Sequence, residues 1–230
     1  MLITGIKSKP VYEPLRADVG GRYHLMLASG PGGEALLRVL GELRDAAPQA
    51  LQNTRALLVP DAAAADHSNN DPRTSIDSRT TIDPRTTIDA RTTIDARIKE
   101  LGVTDVRVFD DTPALLTAFR TVLDESLMGT RLYVAGPESF IGLAMKLALE
   151  FDMNKDEIRA EELGTSARRV YCVHCRTTSE DVKTNIVNCA GCRRWLLVRD
   201  HYSRRHAAYM GVMVDAEAPG ELPPIKEVYL

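Results

Sequence analysis

Cys172-Val-His-Cys175 and Cys189-Ala-Gly-Cys192 hold all four cysteines of the chain, as two Cys-x-x-Cys knuckles separated by thirteen residues. A tetrahedral metal ion needs four soft ligands converging on one point. Two knuckles facing each other across a short hairpin supply them without help from other segments. The spacing therefore predicts a metal site formed by Cys172, Cys175, Cys189 and Cys192. A thioredoxin-like redox pair is the rival chemistry for a single such motif, but that motif follows a strand and opens a helix, and neither knuckle here opens a convincing one. Two disulfides or free thiols are the remaining alternative.

The ion itself has two candidates. Zn2+ is the commonest occupant of a closed tetrathiolate site, where it would staple a segment too small to fold on its own core. Iron, in a rubredoxin-like mononuclear site or an iron-sulfur cluster, would use the same ligands and make the segment an electron carrier. Rubredoxin knuckles carry glycine directly after the second cysteine, where the backbone takes a positive φ. Arg176 and Arg193 stand at those positions, which favours zinc. Together with Arg194 they would offset the dianionic charge of a metal tetrathiolate. His174, inside the first knuckle, could replace a cysteine, although four cysteines already close the coordination shell. Trp195 opens an alternating run after the second knuckle and is expected to pack over the metal site; if iron is present, an electron conduit is the alternative.

The elements that must carry this site follow an α/β pattern. Tyr23 to Ser29 is an apolar run of strand length, Gly30-Pro-Gly-Gly33 a turn, and Glu34 to Arg44 a helix with Leu36, Leu37, Leu40 and Leu43 at helical spacing. Arg55 to Pro60 is the next strand, completing a βαβ unit and implying a parallel sheet. From Asp71 the chain repeats a hexad of the type Asp-Ala-Arg-Thr-Thr-Ile, with one isoleucine in six residues. That is too little apolar surface to offset the entropy of ordering, so residues 61–93 read as a disordered insertion. A hexapeptide β-helix is the alternative, but it needs more coils and lacks its glycines here. Ile94 to Leu101 is a short helix, Asp105 to Phe109 a strand, and Pro113 to Leu127 a helix capped by Thr112. A strand at Arg131 to Ala135, a helix at Glu138 to Phe151 and a strand at Glu157 to Glu162 complete a doubly wound five-stranded parallel sheet. Residues 1–22 are then an N-terminal extension, 23–166 the α/β domain, 167–214 a small β-rich metal ribbon built on the four cysteines and 215–230 an extended tail free to lie along a partner.

Two segments resemble the pyridine-nucleotide half of ferredoxin reductases: Leu25-Met-Leu-Ala-Ser-Gly-Pro-Gly-Gly-Glu, the first strand and its glycine turn, and Leu132-Tyr-Val-Ala-Gly-Pro-Glu, the family's Cys-Gly-Pro turn. The resemblance implies that Gly30, Gly32, Gly33, Gly136 and Pro137 line a nucleotide site, phosphates lying at the first turn and nicotinamide near the second. The departures are specific. Only 22 residues precede the first strand, so no flavin-binding barrel is expected there; Ala135 replaces the usual cysteine, and Glu34 sets negative charge where phosphate would arrive. The alternative is that these glycines serve only tight turns in a retained fold.

Taken whole, with Arg169-Val-Tyr-Cys-Val-His-Cys and Cys-Ala-Gly-Cys-Arg-Arg-Trp as its most telling stretches, the chain resembles the small accessory subunit family of bacterial dimethylamine monooxygenase. That family's complex oxidises dimethylamine to methylamine and formaldehyde with NADPH and dioxygen. The resemblance implies a haem-containing oxygenase subunit and a flavin and iron-sulfur reductase subunit as partners, which would hold the haem, flavin, iron-sulfur and NADPH. This chain offers no catalytic set of its own: Asp110-Asp111 and Glu161-Glu162 are adjacent acids, read as caps or solvated charge, and His201 and His206 as polar surface. An autonomous NAD(P)H-dependent oxidoreductase with rubredoxin-like iron and a structural zinc-ribbon adaptor are the competing functions. With 230 residues, 44% of them hydrophobic, a net charge of −3 and a pI near 6.0, the chain has enough apolar mass for a core and no basic field to draw it to nucleic acid or an anionic membrane. No stretch is long and apolar enough to span a bilayer, and a cytoplasmic location with reduced thiols is expected.

Overall fold

The structure, a computed structural model, describes residues 8–60 and 94–230. The hexad segment at 61–93 lies outside the described residues. The α/β part runs β1 (Tyr23–Ser29), α1 (Gly32–Ala46), β2 (Thr54–Val59), α2 (residues 94–100), β3 (Asp105–Val108), α3 (Thr112–Asp124), β4 (Thr130–Gly136), α4 (Glu138–Glu150) and β5 (Ile158–Glu162). All four strand pairings are parallel, in the order β3-β2-β1-β4-β5. Strand alternation divides the core between two faces. Met26 and Ala28 of β1 meet Leu36, Leu40 and Leu43 of α1 and Ile98 of α2 on one face; Leu25 and Leu27 meet Phe119 of α3 and Ile141 of α4 on the other. The sheet is therefore doubly wound, as its continuous apolar strands require.

The two turns on either side of the sheet's switch point are pressed together. A Cβ on Gly32 would lie 2.1 Å from the Ala135 carbonyl oxygen, and Gly136, at φ +151°, places its own Cβ position 3.0 Å from the Ser29 carbonyl oxygen. Only hydrogen fits at position 32, so the start of α1 can ride directly on the end of β4. The cap of α3 is Asp111, whose carboxylate accepts from the Ala114 N–H at 2.8 Å, not Thr112, which is already helical; an aspartate in extended backbone reaches the third amide more readily.

The second sheet comprises β6 (Arg168–Cys172), β7 (Thr178–Val182), β8 (Ile186–Asn188), β9 (Trp195–Ser203) and β10 (Ala208–Met213), in the order β7-β6-β10-β9-β8. β6 and β10 pair in parallel and the remaining neighbours are antiparallel. Its core is small, centred on Val170, Val182, Val198, Tyr202 and Tyr209. The C-terminal segment, read from sequence as an extended tail, returns in its last residues to this sheet. Val228 donates to the Lys183 carbonyl, Lys226 donates to Asn185 Oδ1 at 2.7 Å, and Ser166 donates to the Leu230 carbonyl. Buried Arg168 explains the return: its guanidinium lies 3.9 Å from the Tyr209 ring centre and 3.8 Å from that of Tyr229, and it pairs with Asp200 at 2.8 Å.

Gly32→Ala drives a methyl group into backbone that cannot rotate away, so it is expected to cost about 1–3 kcal/mol of stability, read as a lower urea midpoint for unfolding of the α/β part. An unchanged midpoint contradicts the close approach of α1 and β4.

Candidate metal centre

Cys172 ends β6 and Cys189 follows β8, so two strand ends deliver the first cysteine of each knuckle. The two turns are built alike. The Arg176 N–H donates to the Cys172 carbonyl at 2.9 Å, while the Cys172 N–H donates to Thr177; in the second knuckle the Arg193 N–H donates to Cys189 and the Cys189 N–H to Arg194, each at 2.9 Å. Arg176 and Arg193 take φ of 67° and 60°. The expectation that arginine at these positions argues against the rubredoxin type of knuckle is thus corrected, because the backbone adopts the left-handed turn regardless of the side chain. The strain, on the order of 1–2 kcal/mol per residue, is tolerated because both hydrogen bonds of each turn require it.

The four sulfurs lie within 4.8 Å of one another. Across the knuckles, Cys175 lies 3.4 Å from Cys189 and Cys172 lies 3.8 Å from Cys192, sulfur to sulfur. A regular tetrahedron with metal–sulfur bonds of about 2.3 Å sets its sulfurs about 3.8 Å apart. Both separations exceed a disulfide bond by far, and all four cysteines are free thiols. The cluster is able to hold a single metal ion; several irons with bridging sulfides would push the sulfurs wider apart.

The site is half sunk into the ribbon. Cys172 and Cys189 are fully buried, Cys192 partly so and Cys175 exposed. Burial pushes the Cys172 thiol up to about 11, whereas hydrogen bonds from the hydroxyl and backbone of Thr177 bring Cys175 down to about 6. A bound cation would favour the thiolate at every one of these positions. Leu196 packs against Cys172 and Cys189, in the place expected of Trp195. Trp195 itself is 38% exposed, because the alternation of β9 turns Leu196 and Val198 inward and Trp195 out. His174 is exposed, and among the described residues the clustered ligand atoms are those of the four cysteines.

The glycine turns come together elsewhere, at the carboxyl ends of β1 and β4. Gly30 and Gly33 line a cavity of about 330 Å³ with Pro31, Glu34 and Ile94. Gly32 and Gly136 are occupied by the helix-to-strand contact described above. Gly164, beyond β5, has its Cβ position 3.3 Å from the Pro31 ring and 3.6 Å from that of Pro137, so the chain leaving β5 covers both turns. The Glu34 carboxylate, in the first turn of α1, is held by Arg97 of α2 through both guanidinium amines. Sequence reading also missed Glu161: its buried carboxylate accepts from the Leu15 N–H at 2.6 Å and pairs with Arg38, a role set by partners far away in the chain.

Comparison with known proteins adds the family. The model described as dimethylamine monooxygenase subunit DmmA-like, C-terminal domain, matches residues 169–212, and the corresponding N-terminal domain model matches 85–158. The heme-dependent oxidative N-demethylase delta subunit of Ectopseudomonas mendocina (strain ymp) is 33% identical over 123 residues, which cover 54% of this chain and 69% of that protein. Among solved structures, phthalate dioxygenase reductase aligns with a TM-score of 0.38 and 16% identity over 76% of this chain and 46% of its own. The ferredoxin reductase of carbazole 1,9a-dioxygenase gives 0.37 and 15% over 66% and 34%. This chain spans less than half of either reductase, and at these scores the likeness carries no argument of its own. The two family models take in all four knuckle cysteines and strands β3 and β4 of the parallel sheet, and with the delta subunit they establish that the chain belongs to the DmmA-like family of dimethylamine monooxygenase subunits.

Proposed function

We propose that the chain is a non-catalytic subunit of an NADPH- and O2-dependent dimethylamine monooxygenase, in which Cys172, Cys175, Cys189 and Cys192 hold Zn2+ and the metal ribbon shapes an interface with the other subunits. The overall reaction consumes dimethylamine, O2, NADPH and a proton and yields methylamine, formaldehyde, NADP+ and water. Its oxygen chemistry belongs to a haem-containing oxygenase subunit, fed by a flavin and iron-sulfur reductase subunit. The observation that carries this reading is the four-sulfur cluster in a sheet whose apolar core is otherwise small. An ion there contributes folding free energy directly.

Residues 23–166 act as a docking scaffold, with Gly30, Gly32, Gly33, Gly136 and Pro137 serving packing instead of phosphate binding. This is supported by the Gly32 contact with Ala135 and by the carboxylate of Glu34 beside the turn. Free cysteines fit a reducing, cytoplasmic compartment, and no helix among the described residues is long and apolar enough to cross a membrane. Iron is the second reading, favoured by the left-handed backbone at Arg176 and Arg193, and it would make the ribbon an electron relay.

Elemental analysis with a visible spectrum of the purified chain is expected to find one zinc per chain and no colour; strong visible absorption that bleaches on reduction shifts the assignment to iron. Cys172→Ser with Cys189→Ser is expected to abolish metal retention and to weaken co-purification with the oxygenase and reductase subunits at least tenfold. If the complex assembles and oxidises dimethylamine at full rate without this chain, the subunit role fails. Titration with NADPH to millimolar concentration is expected to show no saturable change in Trp195 fluorescence or in calorimetry, and saturable binding instead assigns the glycine turns to a nucleotide.

A further inference from the structure

A second cavity, of about 400 Å³, lies away from both the cysteine cluster and the glycine turns. It is enclosed by the extended segment at residues 10–16, the outer part of α4, β5 and the end of β9. Its volume is that of a pocket for a drug-sized molecule. Leu15, Met145, Leu149 and Ile158 give it an apolar wall, and the phenol rings of Tyr12 and Tyr202 face it. Burial raises the pKa of both phenols, so their hydroxyls stay protonated and able to donate.

The charge around this cavity is one-sided in a chain whose net charge is −3. Five cations line it against the single carboxylate of Glu13. Arg16 is committed to Glu42 and Arg159 reaches Asp18 at 3.5 Å, but Lys146, Lys155 and Arg204 have no carboxylate partner among the described residues. Behind the cavity, Gly142 separates it from buried Glu138: a Cβ on Gly142 would stand 2.1 Å from the Tyr202 hydroxyl and 3.4 Å from Glu138 Oε1. Burial pushes that carboxyl up to about 7, so near neutral pH it is partly protonated and cancels little of the positive charge in front of it.

We propose that this cavity binds a small organic anion with an apolar body, its carboxylate or phosphate held by Lys146, Lys155 and Arg204 and its body lying against Tyr12, Tyr202 and the α4 side chains. The inference is independent of the metal reading, since the cavity and the cysteine cluster share no residue. Desolvated wall and unpaired cations are complementary to the two ends of such a ligand, whereas a neutral molecule would leave the ammonium and guanidinium groups without an added partner.

The test uses the full, metal-loaded chain and 8-anilinonaphthalene-1-sulfonate, whose sulfonate on an aromatic body stands in for this class. Saturable one-to-one binding by fluorescence is expected, weakened at least tenfold in Lys146→Glu/Arg204→Glu, with metal content and far-ultraviolet circular dichroism unchanged. Should the charge reversal fail to fold, Lys146→Gln/Arg204→Gln is expected to weaken binding in the same direction. Competition distinguishes the two sources of the anion: displacement by laurate identifies a carboxylate amphiphile, displacement by flavin mononucleotide an aromatic phosphate ester. Equal affinity in a folded double variant, equal affinity for uncharged N-phenyl-1-naphthylamine, or no displacement by either competitor overturns the proposal.

Discussion

Four sulfurs gathered within 4.8 Å impose the constraint on which the ribbon depends. As thiolates they repel one another, and as neutral thiols they make only weak hydrogen bonds, so neither state holds the cluster tightly without a cation. The two knuckles position the sulfurs with backbone alone: matching pairs of hydrogen bonds and one left-handed residue each, at Arg176 and Arg193. The ribbon's apolar interior is a handful of valines and tyrosines, with Leu196 against the two buried cysteines. A metal ion at this point would tie the β6 end to the β8–β9 connection and substitute for the core that a small sheet lacks.

The ribbon is also tied to the parallel sheet. Ser8 donates its N–H to the Asp200 carbonyl in β9, Leu15 donates to Glu161 at the end of β5, and Ala17 donates to Glu42 in α1. One extended segment therefore spans both sheets and forms a wall of the cationic cavity. Tyr202 seats its hydroxyl over Gly142 of α4, a contact that any side chain at 142 would expel. With the C-terminal segment clamped by Arg168, the cysteine cluster and the cavity sit on a braced frame. Such bracing lowers the conformational entropy that a surface loses when it binds.

The glycine turns show how closely the two halves of the parallel sheet approach. Of the positions that resemble a nucleotide site, Gly32 and Gly136 are pressed against neighbouring backbone, whereas Gly30 and Gly33 line a cavity. Glycine at 32 is required by a carbonyl oxygen, whatever else binds nearby. Glu34, whose charge opposes phosphate, is satisfied by Arg97 and so carries no structural conflict.

Much was legible in the sequence because it is local. Period-2 and period-3.6 apolar patterns located every strand and helix of the parallel sheet to within a few residues, and a thirteen-residue separation of two Cys-x-x-Cys pairs identified the sulfur cluster. Local pattern also misled where two neighbours competed, as with Asp111 over Thr112 and Leu196 over Trp195, since a cap or an inward position is decided by backbone angle and strand phase. The polar strand β7 and the three-residue strand β8 have no periodic signature, and their pairing with β6 and β9 was not readable. By itself the sequence determined the elements of the parallel sheet, the four-cysteine cluster and the family. Only the tertiary structure decided that the tail folds back onto Arg168, that Glu161 holds Leu15, and that Tyr12, Lys146 and Arg204 meet around one cavity. Those outcomes rest on contacts between residues tens to hundreds of positions apart, where sterics and charge act through space and leave no mark on local spacing.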